Sequence, residues 1–526
     1  MDMLFKEFAE YLEKLEKTSS RLTITDILVE LVKDLRTDEV DKGIYMALGQ
    51  IGSDYDRLDM GMAGKMVLRA LTEVSGDGEG EMEKKYKKRG DLGELAEELG
   101  VQVKGEGLSV DEVYEKLEKM GKDAGEGSQE RKVTALVNLL RESRGKERKF
   151  LVRIVTGKVR IGFSSKTVLD ALSQIESGNK NWRKELDRVF QIYPDVGEIV
   201  KVVKAEGVEG LKKIKVKSGV PVVSALCQRL NEYEEIVKKM GEVGVERKYD
   251  GSRVQIHFER DRRLSIVDRR DRVRTFTRNL EESSAMFPEL LKIGDYVMAD
   301  ELILDSEACG YDRETGKVLS FQVTITRKRK HGIAQAVEEV PLRFFVFDIL
   351  SLDGKDLLSK PYFERREILK KIIQKNEVLV VDEVVKTDSP AEIDRLHTKY
   401  LKEGFEGAVI KKWDGEYLPG RQGWNWVKIK EAEGTSGKLL DTLDLVILGY
   451  YVGKGKRVDF GMGAFLVGTR KGDSWVSLAK IGTGLTDDEF RETRKRLENL
   501  KIKEKRDDVE VEGALVPDVW VEPKIM

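Results

Sequence analysis

Hydrophobic positions change period twice along the chain. In the N-terminal part Leu4, Phe8, Tyr11 and Leu15 recur at helical spacing, and residues 133–140 and 168–172 repeat that pattern. Polar, glycine-rich connections at 75–80 and 121–127 separate the helical stretches. The pattern shifts near Lys213. From Val243 onward alternation of two predicts strands at 254–258, 296–299, 344–347 and 407–410, with a helix around Glu364 to Ile373 between the last two. After about Ala432 the runs 443–450 and 464–469 predict short strands, enough for a small barrel. The expected architecture is therefore multidomain: an all-α domain over 1–212, an α+β domain over 213–432 and a partial β-barrel over 433–526.

Length agrees with this division, because 526 residues exceed what one hydrophobic core supports. A charged fraction of 36% with 7% aromatics predicts a dense ionic surface. No run reaches membrane-spanning length and the N-terminus lacks a signal-peptide layout, so a cytoplasmic protein without a membrane partner is expected. Cys227 and Cys309 are too few for a disulfide framework or a four-cysteine zinc site. His257, His331 and His397 are scattered, which disfavours a transition-metal site and leaves an oxygen-bound ion such as Mg²⁺.

A net charge of −2 does not by itself suggest a polyanion partner. The distribution does. Basic residues crowd 141–166, including Arg148, Lys149, Arg153, Lys158, Arg160 and Lys166; a second cluster runs from Arg260 to Arg274 and a third covers 326–331. Three such clusters on a near-neutral chain predict contact with phosphates.

The strongest candidate for chemistry is Lys248-Tyr249-Asp250-Gly251-Ser252-Arg253, directly after an apolar alternating segment. A lysine so placed can attack a nucleotide α-phosphate and hold the nucleotide as a phosphoramidate. The bare pattern is short enough to arise by chance, and Lys412-Trp413-Asp414-Gly415 is a second copy. A nucleophilic lysine must lose a proton against an unperturbed pKa of ~10.4, which burial and neighbouring cations lower. Such cations stand in Trp426-Val427-Lys428-Ile429-Lys430, where strand geometry sets Trp426, Lys428 and Lys430 on one face. An edge strand guarded by lysines would show the same pattern. Carboxylates to hold Mg²⁺ stand at Glu307 and Glu406, each within or beside an apolar strand.

In order along the chain, the Lys248 run, Thr277-Arg278-Asn279, Glu307, Phe347-Asp348, Glu406-Gly407 and Trp426 to Lys430 resemble the nucleotidyltransferase motifs of ATP-dependent DNA ligases. The whole chain is similar to the archaeal replicative type, itself similar to the eukaryotic nuclear enzymes. Residues 153–162 and 166–172 resemble the signature of that family's helical DNA-binding domain, and 479–487 a stretch of its OB-fold domain.

The resemblance implies ATP and Mg²⁺ as cofactors, nicked double-stranded DNA as substrate, and a monomer working in replication, repair and recombination. It implies a sliding-clamp partner too, although no docking peptide stands out. Lys248 precedes the other motifs and is the implied adenylated residue, while Asp414-Gly415 reads as a turn. Glu246 would read the adenine amino group and Phe347 would stack on the base, a core aromatic being the alternative for such a Phe-rich strand. Arg253 and Arg278 would hold ribose or phosphate; Lys428 and Lys430 would take the α-phosphate and departing pyrophosphate. Glu307 and Glu406 would contact ribose or Mg²⁺. Glu301 competes with Glu307, but the distance of Glu307 from residues 312–316 fits the family spacing. In the helical domain, Ser164 is expected to cap a helix starting near Lys166, with Arg153, Lys158, Arg160 and Lys166 around a DNA phosphate.

Two departures stand out. Where the family usually has an arginine before the Lys-x-Lys strand this chain has Gln422, with Arg421 beside it, so both are candidates for the nucleotide. The sequence ends at Pro523-Lys524-Ile525-Met526, before the family's closing Arg-x-Asp-Lys-type motif. The OB-fold domain is accordingly expected to be C-terminally incomplete. A nicked-DNA-binding protein with impaired self-adenylation is the alternative reading.

Overall fold

The computed structural model describes residues 2–100, 103, 107–178, 181–230, 232–261, 271–327, 333–430, 444–453 and 461–525. The chain divides into two compact units, Met1–Ala432 and Glu433–Met526.

The first unit begins with packed helices that share one apolar core. Phe5–Glu16 forms because Phe5, Phe8, Leu12 and Leu15 make one buried face. Ser109 caps Val110–Lys122 in a capping box with Glu112. Ser128–Arg141 and Ser165–Ser177 contain the predicted apolar runs, and the second ends on Gly178 at φ 67°, where a side chain would be strained. The short helical turn Val208–Lys213 closes this region.

Two sheets come next. The first orders its strands Gln228–Arg229, Trp426–Lys430, Gly407–Lys412, Val243–Lys248 and Val385–Thr387. The second orders Arg272–Thr277, Ser252–Glu259, Glu301–Gly310, Leu342–Leu352 and Lys355–Asp356, with Leu379–Val381 added parallel to Leu342–Leu352. Each sheet buries one face in its own apolar cluster. Tyr249, Asp250 and Gly251 carry the chain from the first sheet to the second, so the lysine pattern sits on a crossing between them. Gly251 is required there, since an added Cβ would lie 2.5 Å from the Ala308 carbonyl oxygen and 2.6 Å from Cys309 Sγ.

The helices meet the sheets through the Tyr55 ring edge-on to Phe276 and through Gln191, which accepts from both Gln422 Nε2 (2.7 Å) and the Val223 amide (2.7 Å). The second unit is a β-rich domain whose curled sheet orders Lys501–Ile502, Val519–Val521, Val446–Tyr451, Ala464–Lys471, Ser474–Ile481 and Val509–Glu510. The helix Asp487–Glu498 packs on it through Phe490 and Leu497.

Two expectations need correction. Residues 296–299 do not form a strand. They come directly after the 3-10 helix Pro288–Asp295, and Val297 alone bridges, to Ile373. The basic clusters are also partly internal. Arg148, Lys149 and Arg153 are buried, Arg260 donates to the carbonyls of Ala299 (3.0 Å) and Val297 (2.9 Å), and buried Arg327 pairs with Glu289. A cation facing the interior must be neutralised within the protein and is lost to a solvent-side partner. Residues 262–270 and 328–331, His331 among them, lie outside the described residues.

A cavity between two sheets as the candidate active site

Lys248 is the last residue of its strand, opposite Gly407. Strand period sets Glu246 on the same face, and the Glu406 amide donates to the Lys248 carbonyl oxygen (3.0 Å). Gly407 has φ 142°, and an added Cβ would lie 2.1 Å from the Ile429 carbonyl oxygen, so no side chain fits between these strands. The second sheet contributes Arg253, Glu307 and Phe347 from three neighbouring strands. Together these enclose a cavity of about 640 Å³.

Glu246, Lys248, Arg253 and Arg278 line the cavity, as do Glu307, Phe347, Glu406, Arg421 and Lys428. Residues from Lys248 to Lys428, separated by 180 positions in sequence, are thus brought to one place. Glu406 is ion-paired with both Lys248 and Lys430. Burial alone would raise the Glu406 pKa, but hydrogen bonds from these two lysines outweigh it and hold it below the usual range. Glu307 has the opposite balance. Burial pushes it up to about 7, and Arg253 and Lys248 only partly offset the desolvation. Lys428 is lowered by burial and by Lys430 beside it.

Arg253 is placed differently from its expected role as a free fork. Its Nε donates to Asp305 Oδ1 (2.9 Å), its Nη2 pairs with Oδ2, and its Nη1 reaches the Ala225 carbonyl (2.6 Å). Its guanidinium still lies 5.4 Å from the Phe347 ring centroid. Glu301, the competitor of Glu307, stands at the far end of the same strand opposite Glu259, away from the cavity. Arg421 lines the cavity, whereas the Gln422 amide is turned to Gln191 and the Pro419 carbonyl. Lys430 is tied to the cavity wall through its Glu406 pair.

Lys411 was not anticipated. Only 1% exposed, it donates to Glu246 Oε2 (2.8 Å) and the Phe347 carbonyl (3.0 Å), and lies 4.3 Å from the Trp426 ring centroid. Glu246 also accepts from the Tyr362 hydroxyl. Alternation in Gly407–Lys412 sets Val409 and Lys411 on the cavity face while Ala408 and Ile410 join the core, so a period-two reading contained this signal. Tyr362 and Asp382 carried no local signal, being buried away from the motif strands, whereas Asp305 stands two residues before Glu307 on one strand.

Among the described residues no group of three His, Cys, Asp or Glu could hold a metal ion alone. Glu307 and Glu406 nevertheless fit Mg²⁺, which takes one or two carboxylates and completes its shell with water and substrate phosphate. A desolvated carboxylate whose pKa is pushed up to about 7 is what a bound cation would relieve.

In the helical region, Ser164 occupies the N-cap of Ser165–Ser177, but its hydroxyl makes no capping hydrogen bond. Lys158, Arg160, Ser164 and Lys166 are exposed; Arg160 has φ 61° and pairs with Asp91 (2.9 Å). Arg153 corrects the expectation of a DNA contact. It is 2% exposed and held by Glu16 (2.7 Å) and Asp91 (2.9 Å), because it lies on the inward face of Gly145–Val155.

Residues 224–430 match the family described as ATP dependent DNA ligase domain. Residues 4–173 match DNA ligase N terminus, and 459–526 match ATP dependent DNA ligase C terminal region. The chain is 41% identical over 525 residues to a probable DNA ligase of Dictyoglomus turgidum, covering 99% of this chain and 88% of that protein. To DNA ligase 2 of the archaeon Thermofilum pendens it is 34% identical, over 100% of this chain and 88% of that one. The solved structure called Pmar-Lig_PreS3 aligns over 98% of both chains with a TM-score of 0.53 and 16% identity, which supports the shared fold. No described helix is long and apolar enough to cross a membrane. With three family regions matched in order and full-length relatives above 30% identity, this chain belongs to the ATP-dependent DNA ligases.

Proposed function

We propose that this enzyme seals 5′-phosphate/3′-hydroxyl nicks in duplex DNA through a Lys248-AMP intermediate and a DNA-adenylate. The observation that carries this is the Lys248 amine at the cavity wall, ion-paired to Glu406 with Lys430 on the same carboxylate. Glu406 holds the amine in place; once its proton has left to solvent, the Lys248 Nζ attacks the α-phosphorus and pyrophosphate leaves. Lys428, Lys430 and Arg421 supply positive charge where the phosphates would lie. Phe347 offers a ring face for the base, and Glu246 an acceptor for the adenine amino group.

Glu307 and Glu406 would hold Mg²⁺, which supplies neutralisation of phosphate charge. The adenylate passes next to the 5′-phosphate of the nick, freeing the Lys248 amine, and the DNA 3′-hydroxyl displaces AMP. In the helical region, the open N-terminus of Ser165–Ser177 with Lys158 and Lys166 would hold duplex phosphates without reading sequence. Incubation with α-labelled ATP and Mg²⁺ should label the protein, and the label should chase into nicked DNA. Label persisting in Lys248→Ala would sink the assignment.

A further inference from the structure

We propose that Asp382 is a positioning residue for the nucleophile, a clamp on Arg247, the residue directly before Lys248; this rests on the reading of Lys248 given above. The strand ladder ends at Lys248, so Tyr249 and Asp250 have no rung to fix them. Side chains take over at that point. Arg247 Nη1 donates to Asp382 Oδ1 (3.1 Å) and its Nε approaches Glu403 (3.4 Å). The Tyr249 ring stacks on Phe345 at 4.0 Å and 18°, and its edge meets Phe405 at 5.2 Å. Among the described residues, buried Asp382 Oδ2 has no hydrogen-bond partner, while the carboxylate's charge adds to burial in raising the Tyr249 pKa.

Asp382 is suited to this by its place in the chain. It lies between Leu379–Val381 of the second sheet and Val385–Thr387 of the first. It therefore stands on one crossing between the sheets and holds Arg247, on the strand that leads into the other. Its own backbone is fixed, since its carbonyl accepts from Arg366 Nη2, and its Oδ1 also accepts from the Glu383 amide (2.8 Å). A displacement of about 1 Å at a reacting group lowers a rate by roughly 100-fold.

The test measures two steps on the full chain: self-adenylation with α-labelled ATP, and sealing of a nick already carrying a 5′-adenylate, which does not use the Lys248 amine. Asp382→Asn should slow self-adenylation roughly 10- to 100-fold at an unchanged half-saturating ATP concentration, and leave sealing of the adenylated nick within about twofold. Arg247→Gln, cutting the clamp from its other end, should show the same split and serves if Asp382→Asn does not fold. Normal self-adenylation in a folded variant, or equal loss in both steps, overturns the clamp. Lys248→Ala run in parallel separates the two ideas. If it abolishes labelling while the clamp variants label normally, only the clamp fails; if it still labels, the nucleophile reading fails first.

Discussion

The chain carries Lys-x-Asp-Gly twice, and the two copies lie at opposite ends of one antiparallel strand pair. Lys248 is the rung opposite Gly407, and Lys412 the rung opposite Val243. Beyond Lys248 the chain crosses to another sheet, and Gly251 is pressed against Ala308 and Cys309. Beyond Lys412 it turns locally, with the Gly415 amide on the Lys412 carbonyl (3.0 Å) and Lys412 beside Asp414 (3.5 Å). The Lys248 side chain is 19% exposed and the Lys412 side chain 38%. Lys248 alone of the two lines the cavity. A four-residue pattern has no chemistry of its own; the strand end it occupies and the sheet it faces supply it.

The largest expected effect breaks or keeps this comparison outright. Lys248→Ala should lower self-adenylation by at least about 1,000-fold, and Lys412→Ala should stay within about twofold, read by gel after labelled-ATP incubation. Comparable losses in both would erase the distinction. The same contrast of position over residue type separates Arg153 from Lys166. Arg153→Ala removes the cation shared by Glu16 and Asp91, which keep Lys149 and Arg160, and should cost about 1–3 kcal/mol of stability in urea denaturation. Lys166→Ala should weaken nicked-DNA binding in low salt and leave the urea midpoint unchanged.

A smaller effect tests the two glycines. Gly251→Ala drives a Cβ onto backbone and should cost about 1–3 kcal/mol, with the lesser shift for Gly415→Ala, whose Cβ meets the Lys412 Cβ at 3.0 Å. The smallest effect concerns pH. Glu307, desolvated, stays protonated up to about 7, so its carboxylate forms only as pH rises through that value. Self-adenylation should climb about tenfold from about pH 6 to pH 8, and Glu307→Gln should flatten that limb. A Gln variant retaining the full slope would assign it to another group.

Much of this was legible in residue order. Helical periodicity found the Phe5–Glu16 face, and alternation found Gly407–Lys412 and Trp426–Lys430. Residues 296–299 misled, because an apolar alternation of four residues does not say whether a partner strand lies alongside. Arg153 misled for a related reason: a run of cations reads as a surface until Glu16 and Asp91, distant in sequence, are seen beneath it. Lys411 was within reach of the same alternation, but nothing local distinguished it from half-buried Lys412.

By itself the sequence determined the three-part architecture, the family, and most residues of the candidate site, because periodicity and motif order are local and survive translation into structure. Only the tertiary structure decided which cations are buried, that Arg253 is held by Asp305, that Gln422 faces Gln191, and that Asp382 holds the Arg247 before Lys248. Those facts depend on desolvation and on pairing across sheets, and neither is a property of any one segment.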